Sequence, residues 1–125
     1  RELTSWVELD HFDNDRGELS VAEFGSLPFV PVRMFTVSNV PADTMRGGHA
    51  HRFGRQLLIC AAGQVDVTLR RGDVTQTVSC TPGSGGLLIP PGVWAQQHYK
   101  LPNSVLVVLC SHAYDKNSYI YKVPE

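Results

Sequence analysis

His49 and His51, in the run Arg46-Gly47-Gly48-His49-Ala50-His51, are the residues of this chain best suited to chemistry. In a strand, residues i and i+2 share a face, so both imidazoles would project into whatever cavity that face lines. Such a pair binds a cation or moves protons. Imidazole changes charge near neutral pH, so a pair left without metal is free to act as general base or acid. Arg33, Arg46, Arg52 and Arg55 crowd around the pair in sequence. Guanidinium forks match phosphate oxygens, which makes an anionic, phosphorylated small ligand the sensible partner.

The remaining charges agree with that emphasis. The net charge is -1, but residues 1–23 carry seven acids against Arg1 and Arg16, whereas residues 24–109 carry only Asp43, Asp66 and Asp73 against six arginines and Lys100. Arg70 and Arg71 sit in a turn and read as solvated surface. A mildly acidic chain with no basic run interleaved with aromatics does not fit nucleic acid. The longest apolar runs, such as Leu57 to Ala62 and Val105 to Cys110, fall far short of the about 20 residues of a membrane-spanning helix. No stretch reads as a secretory signal. Cys60, Cys80 and Cys110 each lie in or beside an apolar run and no two are close in sequence. They are expected to be buried free thiols, which fits a cytoplasmic protein and gives no support to a cysteine metal site.

The elements that must position the histidines read as short strands. Residues 30–37, 56–61, 64–70, 75–80, 87–89 and 104–109 are rich in β-branched and apolar side chains and are punctuated by Gly, Pro, Asn or Asp. Ala62-Gly63 and Arg71-Gly72-Asp73 read as hairpin turns, and Val65-Asp-Val-Thr-Leu69 alternates as a strand with one wet face should. No sustained helical period occurs between Met34 and Leu109. At 125 residues the chain can bury roughly two-thirds of its unfolded surface. The expectation is one all-β domain over residues 1–125, a small antiparallel barrel or jelly roll. Residues 111–121 are left as a short helix or a strap over the barrel.

His49-x-His51, with Gln56 and Gly63 downstream, resembles the metal motif of the cupins, the double-stranded β-helix family. A Glu ligand is usual where this chain has Gln56, and the second motif, at Pro90-Pro91-Gly92, has Ala95 where a histidine ligand is usual. A neutral amide and a methyl group offset no dication charge, so no metal and no cofactor are expected. Arg33, the Arg46 to His51 run, Gln56, Gly63, Pro91-Gly-Val-Trp94, Ser104 to Leu109, and Tyr114-Asp115 through Tyr119-Ile120 resemble, in order and spacing, the nucleotide-sugar 3,4-ketoisomerases. Arg16-Gly-Glu-Leu19 and Pro28-Phe29 extend the similarity towards the amino terminus.

That resemblance implies a metal-independent cupin dimer in which about residues 1–25 are exchanged between subunits. It implies an enzyme that moves the keto group of a dTDP-4-keto-6-deoxyhexose from C4 to C3. On this reading His51 removes the C3 proton and His49 steadies the oxygen or relays a proton. Arg33 and Arg46 hold substrate oxygens, Gln56 is a neutral hydrogen-bond partner, and Trp94 and His98 complete the substrate site. Trp94 is read equally as a packing residue, His98 as solvent-facing, and His11 and His112 as structural or surface residues. Where the family commonly has a tyrosine in the strand before the histidines, this chain has Met34-Phe35-Thr36-Val37, so only Thr36 offers a hydroxyl there. Two other classes stay open: a sugar-nucleotide-binding module that does not convert its ligand, and a metal cupin using His49, His51 and His98. A 3-epimerase of the same fold is a variant of the first.

Overall fold

Short runs that alternate apolar and polar residues, each closed by a glycine, proline or asparagine turn, leave the backbone one economical way to satisfy its hydrogen bonds: antiparallel pairing. The computed structural model of the protein describes residues 2–125. Its strands are β1 (Ser5–Val7), β2 (Asp10–Asn14), β3 (Gly17–Val21), β4 (Arg33–Val37), β5 (Thr44–His51), β6 (Gln56–Ala62), β7 (Val65–Arg71), β8 (Val74–Cys80), β9 (Gly86–Ile89), β10 (Trp94–Tyr99), β11 (Val105–Cys110) and β12 (Tyr119–Ile120). They form one sheet in the order β1-β9-β6-β11-β4, a second in the order β12-β5-β10-β7-β8, and a separate hairpin, β2-β3. Every pairing is antiparallel. The expected all-β jelly roll is borne out.

The two five-stranded sheets face each other across the core. Leu58 and Cys60 of β6, Val65, Val67 and Leu69 of β7, Leu87 and Ile89 of β9, Ala95 and Tyr99 of β10 and Leu106 and Val108 of β11 are all buried there. Burying a leucine or valine side chain contributes about 1.5–3 kcal/mol, and this interdigitated layer is what fixes the register of both sheets. All three cysteines are free and buried, as expected, and burial pushes the Cys80 thiol up to about 12.

The six strands expected from sequence fall within a few residues of β4, β6, β7, β8, β9 and β11. The first begins at Arg33 rather than Val30, because Pro31 has no N–H to give a ladder; Val32 N–H still reaches the Cys110 carbonyl at 2.9 Å. Strands β1, β2, β3, β5, β10 and β12 lie outside these six runs, although the spacing of His49 and His51 is itself read on a strand. The hairpin β2-β3 is mostly exposed on both faces, so it carries no alternation to read. Residues 111–121 form a strap rather than a helix. A single 3-10 turn, Lys116–Ser118, is capped by the Asp115 carboxylate, which accepts from Asn117 N–H at 2.9 Å. The chain then pairs β12 to the end of β5, Tyr119 opposite His51 and Ile120 opposite Ala50.

Gly63 closes the turn between β6 and β7 at φ +76°, and a Cβ there would collide with the Ser104 hydroxyl and lie 2.8 Å from Ser104 Cα. Gly92 has the same kind of backbone, φ +79°, with no atom within 4 Å of a would-be Cβ. Gly63→Ala is therefore expected to cost about 2–4 kcal/mol from strain plus collision, and Gly92→Ala about 1–2 kcal/mol from strain alone. Urea unfolding midpoints of the two variants check the difference; equal losses would refute the steric account.

Candidate active site

The histidine pair is set by an irregularity in β5. Gly47 and Gly48 both have positive φ, at +86° and +84°, and the register against β10 jumps from Gln96 opposite Gly47 to Ala95 opposite His49. The extra residue is a bulge. Residues opposite each other in an antiparallel pair share a face, so Arg46, opposite Gln97, and His49, opposite Ala95, lie on the same side of the sheet. That side faces the core, since Ala95 is also paired with the fully buried Leu69. Without the bulge, Arg46 would share a face with Ala50 and not with the histidines.

The strap closes over this face. The Tyr119 ring lies 4.6 Å from the His49 ring and 4.7 Å from the His51 ring, centroid to centroid, and the imidazoles stand nearly perpendicular to each other at 5.1 Å. His51 Nδ1 is 3.3 Å from Ser118 Oγ, whereas His51 Nε2 is buried without a hydrogen-bond partner. A small open pocket is lined by His51 together with, among others, Arg33, Gln56, Cys110, Tyr114 and Ser118. Arg33 extends over the Phe35 and Tyr114 rings, 4.9 and 5.3 Å from their centroids, and Gln56 Nε2 donates to Cys110 Sγ at 3.7 Å.

This environment holds both imidazoles neutral. Burial pushes His51 from 6.5 down to about 4, with repulsion from His49 and then from Arg33 adding to it. Burial also lowers His49, opposed in part by a backbone hydrogen bond at Gly47. Desolvation disfavours the cation, and a proton on either ring disfavours one on the other. The site is therefore a pair of uncharged nitrogen bases beside a fixed guanidinium. Among the described residues, the cluster of three metal-capable side chains is elsewhere, at His11, Asp13 and Glu18 of the hairpin.

The sequence-derived site residues divide into two groups. His49, His51, Arg33 and Gln56 come together at the strap end of the barrel, and Arg46 shares their face as an exposed residue further along β5. Trp94 and His98 are not brought to them. Both alternate with the interior residues of β10 and so lie on its outer face, Trp94 with Arg70 5.7 Å from its ring and His98 Nε2 3.2 Å from Asp43 Oδ1. Thr36, the one hydroxyl in β4, is exposed alongside Met34, while Phe35 packs against the core. Ser118 and Tyr119 complete the site from the strap. The aromatic spacing Tyr114, Tyr119, Tyr121 marks that segment in sequence, but nothing local to Ser118 distinguishes it from a surface serine.

The chain matches the family described as FdtA: WxcM-like, C-terminal, over residues 2–125. It is 32% identical over 108 residues, 86% of this chain and 78% of the relative, to TDP-4-oxo-6-deoxy-alpha-D-glucose-3,4-oxoisomerase of Aneurinibacillus thermoaerophilus. Among solved structures it superposes on a mutant of the 3,4-ketoisomerase QdtA from Thermoanaerobacterium thermosaccharolyticum, in complex with TDP-4-keto-6-deoxyglucose, with a TM-score of 0.89 at 29% identity, covering 96% of this chain and 88% of that one. The TDP-quinovose 3,4-ketoisomerase WlaRB of Campylobacter jejuni gives a TM-score of 0.84 at 27% identity, covering 95% and 92%. The likeness read from the Arg46 to His51 run thus extends along the whole described fold, and the chain belongs to the FdtA family, among relatives that are sugar 3,4-ketoisomerases.

Proposed function

We propose that the protein moves the keto group of a TDP-4-keto-6-deoxyhexose from C4 to C3 by histidine-mediated proton transfer. The observation that carries this reading is the buried, unpartnered Nε2 of a neutral His51 beside Arg33, in a chain of this family. The reaction is redox-neutral overall. A base takes the proton from C3, giving an enediolate across C3 and C4 with the charge on O4; a proton then passes from the C3 hydroxyl to O4, and protonation of C4 gives the C3 ketone and the C4 hydroxyl. A positioned base contributes about a hundredfold to ten-thousandfold to such a step. His51 is the base, and His49, on the same strand face with its ring 5.1 Å from that of His51, steadies the developing oxyanion or relays the proton. Arg33 and Arg46 supply the positive charge that a diphosphate-linked substrate requires, and Gln56 adds an uncharged hydrogen-bonding group. The named relative QdtA is bound to TDP-4-keto-6-deoxyglucose in its mutant complex, which supports this substrate class.

The outer face of the β1-β9-β6-β11-β4 sheet supports a homodimer. Met34 is 62% exposed there, in an apolar depression shared with Phe24, Ile59, Ala61, Val107 and Leu109. An uncovered patch of this kind on a sheet face marks an association surface. Strand β1 is only three residues long and adds to a sheet edge beside β9, a short attachment that fits exchange of residues 1–25 between two copies. Three buried free thiols fit a reducing cytoplasm, and no helix of the described residues is long and apolar enough to cross a membrane.

In deuterated buffer with TDP-4-keto-6-deoxyglucose, NMR should show loss of the C3 proton and growth of a 3-keto product. His51→Asn should lower that rate by about a hundredfold or more. Exchange giving an inverted 4-keto product would make the protein an epimerase, and binding without exchange would make it a non-converting module. Since His51 loses its proton near pH 4, its base form is switched on as pH rises through that value. The acid limb of kcat/KM is therefore expected well below the 6.5 of an ordinary imidazole, and a limb at 6.5 would contradict the neutral-pair account. Met34→Glu should convert a dimer to monomer in sedimentation; an unchanged mass would place the interface elsewhere.

A further inference from the structure

The hydroxyl of Ser118 has three partners and one hydrogen. Its Oγ lies 3.1 Å from the Phe53 carbonyl, 3.5 Å from the Phe53 N–H and 3.3 Å from His51 Nδ1. The carbonyl can only accept, so the O–H points to it, and the oxygen is left to accept from Phe53 N–H and from His51. A ring nitrogen that donates carries the hydrogen, which places it on Nδ1 and leaves a lone pair on Nε2. The opposite choice, Ser118 donating to Nδ1, would strip the Phe53 carbonyl of this partner and put a hydrogen on the unpartnered Nε2, making that atom a donor instead of a base.

Ser118 is well held for such a role. It is only 3% exposed, its N–H donates to the Asp115 carbonyl at 3.0 Å, and its own carbonyl accepts from Arg52 N–H at 2.7 Å. The 3-10 turn thus fixes the hydroxyl against a histidine 67 residues away in sequence. Around His51, Tyr119 packs on the ring and Arg33 and His49 contribute charge or repulsion, but Ser118 makes the one hydrogen bond to the imidazole among the described residues. We propose that Ser118 is a positioning residue that selects the Nδ1–H tautomer of His51, so that Nε2 is the atom that takes the substrate proton. The last clause rests on the ketoisomerase reading; the tautomer does not.

Long-range proton–nitrogen NMR of the ligand-free, nitrogen-15-labelled protein at neutral pH, with His51 assigned by its loss in His51→Asn, reads the tautomer directly. A pyrrole-like Nδ1 and pyridine-like Nε2 are expected, and the reverse pattern would overturn the proposal. Ser118→Ala should give a mixed tautomer signature and about a tenfold or greater fall in kcat with KM and TDP affinity little changed. An unchanged kcat in that variant would refute the positioning role even if the wild-type tautomer is as expected. If wild-type protein shows the expected nitrogen pattern but no exchange at the substrate C3, the ketoisomerase reading and the catalytic part of the proposal fail while the tautomer assignment stands.

Discussion

Desolvation of His51 is the constraint on which the site depends. In water an imidazole at neutral pH is partly protonated; here burial, reinforced by His49 and Arg33, keeps it neutral far into the acid range. A base that is always uncharged gives up some basicity in exchange for being fully available. On the proposed mechanism, the shortfall in proton affinity would be met by stabilising the other product of the transfer, the enediolate, with Arg33, which lines the same pocket. The cation that adds to the lowering of His51 by burial would, on that mechanism, also stabilise the charge that develops on the substrate.

Two backbone devices far apart in sequence create this environment. The glycine bulge at Gly47–Gly48 puts Arg46, His49 and His51 on one face, although an unbroken strand would split them. The two-residue strand β12 then lays Tyr119 over both imidazoles and brings Ser118 to Nδ1. The closure of the site is carried by aromatic contact and by the hydrogen bonds that Asn117 and Ser118 make to Arg52 and Phe53, just beyond the end of β5. The barrel core includes no residue of the bulge or of the strap among its buried members. Stability and chemistry are thus lodged in different parts of one small molecule.

How much of this was legible in the sequence follows the same division. Strands whose inner face meets the core, such as Val65-Asp-Val-Thr-Leu69, advertise themselves by alternation because burial acts on every second residue. The hairpin β2-β3 has no buried face and gave no pattern. His49, His51, Arg33 and Gln56 were legible because residue type and spacing carried them. Trp94 and His98 were grouped with them by motif, yet strand parity sends both to the outer face of β10, a distinction that depends on Ala95 being the inward residue. Ser118 was invisible for the opposite reason: its meaning comes wholly from a contact spanning 67 residues.

Gln56 shows why the neutral substitutions in the motif matter physically. It lines the pocket with His51 and Arg33, and its amide is engaged with the Cys110 thiol. A carboxylate at that position would favour protonation of His51, by attraction, and would compete for Arg33 by pairing with it. Either effect would remove the combination of an uncharged base and an uncommitted cation. Ala95 acts in the same direction, since a second-motif histidine beside His49 would add another titrating group to an already crowded pair. On the proposed mechanism, the departures from the metal-binding pattern are therefore what would keep the remaining histidines neutral and usable as bases.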